Sequence, residues 1–212
     1  MSIGILRFAE KTLDSNTKNV VYSNMKKRNI TMDINEITQD GLHKVCEIVN
    51  KLTNDRNKTS KWSIIWDKNT NPKLLSTDKG RCYFIVVNDI IYKIGYSDSK
   101  GGIRNTWTSY KNGNAGRPSD RTYGIHHFIN NELKNGSKVE VYFLINKTTK
   151  VQVPTMFGYE EIEDSVSGKH IEKLCLKQHK ERYGCLPKWN LQEQGEDWPD
   201  WVQIGLLELK DK

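Results

Sequence analysis

The chain lacks any apolar run long enough to cross a bilayer. Its longest, such as Phe84–Val87 and Val141–Ile145, fall far short of the roughly 20 residues that a spanning helix needs. It also lacks a leader pattern, because the opening MSIGILRFAEKTLDS has no basic segment followed by a long apolar one. The four cysteines, Cys46, Cys82, Cys175 and Cys185, form no C-x-x-C pair and have no histidine at zinc-ligand spacing. There is no internal repeat and no low-complexity tract. These absences argue against a zinc module and a helical membrane protein. The expectation is a chain with reduced thiols, a cytoplasmic location and no membrane partner.

What the chain has is positive charge, unevenly spread. Its 212 residues carry 33 Lys and Arg against 26 Asp and Glu, a net charge of +7. Residues 81–150 hold 11 basic and 5 acidic side chains, whereas residues 191–212 hold 2 and 6. A phosphate-rich partner fits a basic excess over the first two-thirds, and a solvated basic surface is the plainer alternative.

Periodicity gives a coarse order of elements. Residues 35–53 place Leu42, Val45, Cys46, Val49 and Leu52 at helical spacing, which predicts a helix in an N-terminal extension spanning 1–79. KWSIIWDKNTNPK predicts a short strand and a loop ending near Pro72. CYFIVV and IIYKIGY are β-rich runs joined at Asn88-Asp89, a good pair for a two-residue turn. Helices are predicted over IRNTWTSYKNG, over YGIHHFINNELKNG, and over SVSGKHIEKLCLKQHKERYG with Gly184 as its stop. Between the last two, KVEVYFLIN predicts a central strand. Residues 147–164 form an insertion with an acidic end, and WVQIGLLEL predicts a last strand in an acidic tail spanning 191–212. The expected fold class is α+β: a small, mainly antiparallel sheet flanked by helices, with its core over 80–190.

The hairpin at 82–97 mixes tyrosines and a lysine into its apolar runs. Side chains alternate along a strand. A simple turn at 88–89 puts Tyr83 opposite Ile94 and sends Lys93 to the other face. Bringing Tyr83 and Lys93 to one face requires a shifted turn or a bulge.

An ordered set of short motifs runs through this region: RCY at 81–83, KIG at 93–95, Arg104 in GIRNTW, Glu172 in KHIEKL and Asn190 in PKWN. In order and spacing it resembles the GIY-YIG nuclease family over roughly residues 80–190. Arg81-Cys82 stand where that family has Gly-Ile, and Lys93 stands where its second motif has tyrosine. The lysine form resembles a smaller branch of type II restriction endonucleases.

The resemblance implies a site-specific double-stranded DNA endonuclease that hydrolyses phosphodiester bonds with a divalent metal, Mg2+ or in its place Mn2+. It implies Glu172 as the metal ligand, Arg104 on the scissile phosphate, and Tyr83 with Lys93 activating a water. Tyr96 would assist, and Asn190 would brace the site. A free phenol titrates near 10 and is a poor base at neutral pH. Either Tyr83, helped by the lysine charge, or a desolvated Lys93 would serve as the base. The basic loop GNAGRPSDRT, with Asn114, Arg117, Ser119 and Arg121, offers groups for base edges. Lys100, Lys111 and the N-terminal Lys26, Lys27 and Arg28 suit phosphates. The expected partner is double-stranded DNA rather than a small molecule. A homodimer is the simple way to cut both strands, and the extension over 1–79 would contact DNA or dimerise. The alternatives are a phage or mobile-element nuclease and an inactive DNA-binding module of the same fold.

Overall fold

The strands β1 (Leu42–Asn50), β2 (Trp62–Trp66), β3 (Arg81–Val87), β4 (Ile90–Ser97) and β5 (Val139–Ile145) form one sheet in the order β2-β1-β5-β3-β4. Every pairing in it is antiparallel. The computed structural model describes residues 31–38, 40–76, 80–145, 148–164 and 166–210. The architecture is α+β. Among the described residues four helices of ten or more residues pack around the sheet: α1 (Gly102–Lys111), α2 (Asp120–Lys134), α3 (Gly168–Tyr183) and α4 (Asp200–Lys210).

The sheet is covered on both faces, and β3 is buried at every position. On one face Tyr83, Ile85 and Val87 meet Trp107 of α1, Ile125 and Phe128 of α2, and Trp201 and Val202 of α4. On the other face Cys82, Phe84, Val86 and Ile94 meet Leu176 of α3. Full burial of each large apolar side chain contributes about 1.5–3 kcal/mol, so these two layers dominate stability. The helix ends follow local chemistry. Ser119 caps α2 by accepting from Thr122 N–H, and Ser167 caps α3 by accepting from His170 N–H. Gly184 ends α3 in the left-handed region, at φ 75°. Asn88 and Asp89 both have positive φ, 48° and 63°, which makes the two-residue turn between β3 and β4.

Two expected elements differ. Residues 42–50 form strand β1, not a helix. The register of β1 on β5 shifts between Lys44 and Cys46, so Val45 is bulged out of the ladder. That bulge buries Val45 and Cys46 together and gives the run a helix-like spacing. The tail is helix α4, not a strand. Trp201, Val202, Gly205 and Leu206 are its buried residues, one face of a helix. The described part of the N-terminal extension thus adds β1 and β2 to the main sheet, and Lys26, Lys27 and Arg28 lie outside the described residues. The insertion is a separate two-stranded hairpin, β6 (Thr149–Thr155) with β7 (Gly158–Asp164). Met156 and Phe157 at its tip are exposed.

Candidate functional site

A bulge in the β3–β4 hairpin sets the geometry. From the turn outward, Val87 pairs with Ile90 and Val86 with Ile91; then Ile85 pairs with Lys93, Phe84 with Ile94 and Tyr83 with Gly95. Tyr92 is the extra residue. One inserted residue reverses the inside-outside parity of everything beyond it. Tyr83, Ile85, Lys93 and Gly95 therefore share a face, the one that looks toward α1 and α2.

The bulge is held from outside. Among the described residues no strand lies beyond the β4 edge in the sheet; Asp33 bridges its start at Ile90, and residues 189–190 border it from Tyr92 to Ile94. Trp189 N–H donates to Tyr92 O at 2.8 Å. Asn190 Oδ1 accepts from Ile94 N–H at 2.9 Å, and its Nδ2 donates to Ile94 O at 2.7 Å. The Trp189 and Tyr92 rings meet edge to face, 5.1 Å between centroids. Asn190 is fully buried, so Asn190→Ala leaves a peptide N–H and C=O unpaired. We expect a loss of about 1–3 kcal/mol, read by denaturant titration.

Tyr83 lies flat across Gly95. A Cβ on Gly95 would stand 2.2 Å from Tyr83 Cζ. Only glycine fits there, which gives the KIG motif its final residue a steric reason. Gly95→Ala is expected to cost about 1–3 kcal/mol by overpacking and to displace the ring; thermal melting checks it. The Tyr83 ring is enclosed by Trp107, Tyr110 and Phe143. Its hydroxyl shares a 2.5 Å hydrogen bond with the Tyr110 hydroxyl. Burial, together with Tyr110, pushes the Tyr83 phenol well above its ordinary range. It is a poor proton acceptor in this setting.

Lys93 is 1% exposed. Burial pulls its ammonium down to about 8, with Glu193 opposing that pull and Arg121 adding to it. Its charged partner is Glu193, whose Oε1 is 3.9 Å from Nζ. Glu172 sits one turn into α3. The start of that helix is pinned between the two hairpin strands: Gly168 N–H donates to Asp98 Oδ1, just past the end of β4, at 3.0 Å, and a Cβ on Gly80, just before β3, would strike Gly168 N at 2.3 Å. Glu172 is buried, and its Oε1 has no hydrogen-bond partner. Burial raises its carboxyl to about 7, against the pull of Lys93.

Arg121, in the first turn of α2, belongs to the same group. Its Nε and Nη2 donate to Gln192 Oε1 at 3.1 and 2.8 Å, and Nη2 is 3.4 Å from Glu193 Oε1. The fields of Tyr83, Tyr110, Glu172 and Glu193 all act on it. Thus Tyr83, Lys93, Tyr110, Arg121, Glu172 and Glu193 form one electrostatic cluster. A buried acid beside a buried amine, each displaced toward neutrality, is suited to binding a cation and exchanging a proton.

The other expected residues lie elsewhere. Arg104 is exposed on α1, its guanidinium 5.1 Å over the Trp66 ring. Tyr96 pairs with Cys82 and so projects from the face opposite Tyr83. Lys111 is ion-paired with Asp55. Asn114 contacts His127 at 3.1 Å and Thr59 O at 3.4 Å. Ser119 is committed as the α2 cap, while Lys100 and Arg117 are exposed. Tyr110, Gln192 and Glu193 were not expected. Glu193 lies three residues past Asn190, and its closeness in sequence to the PKWN motif is a hint that a reading of the tail as an appendage discards.

For a metal, Glu172 supplies a rigid buried carboxylate with a free oxygen. Among the described residues no group of three or more His, Cys, Asp and Glu side chains is arranged to hold a metal. A single carboxylate with retained waters suits Mg2+ and does not suit zinc.

No family model matches the sequence, and no curated protein sequence matches it. Among solved structures, the chain is similar to a mutant of bacteriophage T4 EndoII, at 20% identity over 75% of this chain and 98% of that one, with a TM-score of 0.44. It is also similar to restriction endonuclease HPY188I in complex with product DNA, at 23% identity over 78% of this chain and 87% of that one, with a TM-score of 0.43.

Proposed function

We propose that the chain is a metal-dependent DNA endonuclease of the GIY-YIG type, acting at specific sites in double-stranded DNA in the manner of a type II restriction enzyme. The observation that carries this reading is the hairpin bulge at Tyr92. It puts Tyr83 and Lys93 on one face, the arrangement the motif set requires and a simple turn forbids. The buried charges of Lys93 and Glu172 support it, because a stable core has no use for either one.

On this reading Glu172 is the group that would hold Mg2+, with Mn2+ able to replace it. When bound, the ion supplies charge stabilisation to the phosphate. Lys93 is the better proton acceptor of the pair, since its amine changes state near pH 8 whereas the enclosed Tyr83 phenol stays protonated. Tyr83 then positions the water. Arg104 meets a phosphate once it leaves Trp66, and Tyr96 adds a contact from the other side of β4. Asn190 braces the strand that carries Lys93. Lys100, Lys111, Asn114, Arg117, Ser119 and Arg121 are the proposed DNA contacts. A homodimer would cut both strands, which light scattering reads as twice the monomer mass.

The test is incubation with long mixed-sequence duplex DNA, with Mg2+, with Mn2+ and with EDTA. Discrete fragments in either metal and intact DNA in EDTA support the proposal. Intact DNA under all three conditions contradicts it. The cleavage rate is further expected to rise with pH through about 8, the value at which Lys93 loses its proton. A rate unchanged between pH 7 and 9 would remove Lys93 from the base role.

A further inference from the structure

We propose that the Glu193 carboxylate is a built-in occupant of an anion seat on Arg121, beside Lys93, and that a DNA phosphate oxygen takes over this seat when substrate binds. The inference rests on the nuclease reading above and assigns Arg121 to phosphate binding rather than to base edges.

The seat is made of groups with unused capacity. The Arg121 guanidinium presents a planar fork, yet it is engaged by a neutral amide oxygen, Gln192 Oε1, and by one long 3.4 Å contact to Glu193. A phosphate oxygen forms shorter, charge-assisted bonds of about 2.7–2.9 Å to such a fork. Lys93 Nζ lies 3.9 Å from the same Glu193 oxygen, beyond hydrogen-bond distance, although the lysine is 1% exposed. Glu172 Oε1 beside them has no partner. Glu193 is thus held between two cations by one long hydrogen bond to Arg121 and a 3.9 Å ion pair to Lys93, as a placeholder would be.

The placeholder stands on a short pinned turn. Residues Gln192–Gln194 form one turn of 3-10 helix that ends at Gly195 with φ 71°. Gln194 Nε2 donates to Asn190 O at 3.0 Å and to Pro187 O at 3.3 Å. Asn190 in turn is bonded to Ile94, next to Lys93. The same strap that holds β4 therefore delivers Glu193 to the seat. The Arg121 side chain is 37% exposed, so an incoming phosphate reaches it and displaces a side chain rather than the strap. Phosphate contacts fix position without reading sequence. Loss of Arg121 is accordingly expected to weaken binding evenly across DNA sequences.

The experiment compares the wild type, Glu193→Gln, Arg121→Gln and the double variant, each checked by thermal melting. Binding is measured to inorganic phosphate by calorimetry and to a short duplex in EDTA by fluorescence anisotropy. Glu193→Gln is expected to tighten both by about 5-fold, and Arg121→Gln to weaken duplex binding by a similar factor and lower its salt slope by about one. In the Arg121→Gln background the gain from Glu193→Gln disappears. If Arg121→Gln fails to fold, Arg121→Lys keeps the charge, loses the fork and gives the same direction with a smaller loss. Tightening of equal size with and without Arg121 would mean general charge removal and would overturn the seat. So would unchanged affinities in Glu193→Gln while the wild type still cleaves DNA. Phosphate binding that follows the expected pattern in a protein that neither binds nor cuts DNA would keep the seat and overturn the nuclease reading.

Discussion

Glu172→Gln is expected to lower the DNA cleavage rate at saturating Mg2+ by about 10³-fold or more, with duplex binding in EDTA kept. The substitution preserves shape and removes only the charge and one oxygen. Glu172 is a buried carboxylate whose Oε1 has no hydrogen-bond partner, so no hydrogen bond at that oxygen is broken with it. Its protonation gives a second handle. Burial lifts the carboxyl from its ordinary value of 4.5 to about 7. A proton then competes with the metal, so the Mg2+ concentration for half-maximal cleavage should fall as pH rises through about 7 and level off above it. A metal requirement that is flat between pH 6 and 8 would show that Glu172 is not a ligand.

Lys93→Met is expected to abolish cleavage and yet stabilise the protein by about 1–3 kcal/mol at pH 7. Methionine matches the length of the lysine stem and has no charge to desolvate. The sign follows from the direction of the shift. The folded protein holds the Lys93 ammonium at about 8, below its ordinary value of 10.5. Folding therefore disfavours the proton, and that cost is fully present below about pH 8 and fades as pH climbs toward the unfolded value. The stability gain of Lys93→Met should be largest at neutral pH and vanish by about pH 10.5. Urea titrations at pH 7 and 10 read both limits. A substitution that stabilises and inactivates together marks a residue kept for chemistry rather than for packing. A variant less stable than the wild type at pH 7 would mean that the ion pair with Glu193 outweighs the burial cost.

Much of the fold was legible because several elements announce themselves locally. Asn88-Asp89 could hardly be anything except a tight turn, and Gly184 stops α3 by its left-handed backbone. Helices α1, α2 and α3 and strand β5 lie where the periodicity puts them. Strand β1 was hidden by its own bulge, because Val45 and Cys46 are both buried and break the alternation that identifies a strand. Helix α4 was hidden by a nearly continuous apolar run, in which Trp201, Val202, Gly205 and Leu206 share a face only at helical pitch. The site was legible in part. Tyr83, Lys93, Gly95 and Asn190 come together around the hairpin, and the Tyr92 bulge, which resolves their facing, is a single-residue register choice that sequence leaves open. Arg121 was expected only as a loop residue for base edges, and its meeting with Glu193 was beyond reach, since it depends on α2 and the 192–194 turn converging from 72 residues apart in the chain.

A single comparison asks whether the proposed Lys93–Glu172 cluster hydrolyses DNA. A duplex that contains a mapped cleavage site is incubated with the wild type and with Glu172→Gln in the same Mg2+ buffer, and a parallel gel shift in EDTA reports binding. The expected result is cleavage by the wild type alone and equal binding by both. Cleavage by Glu172→Gln at the wild-type rate would contradict it.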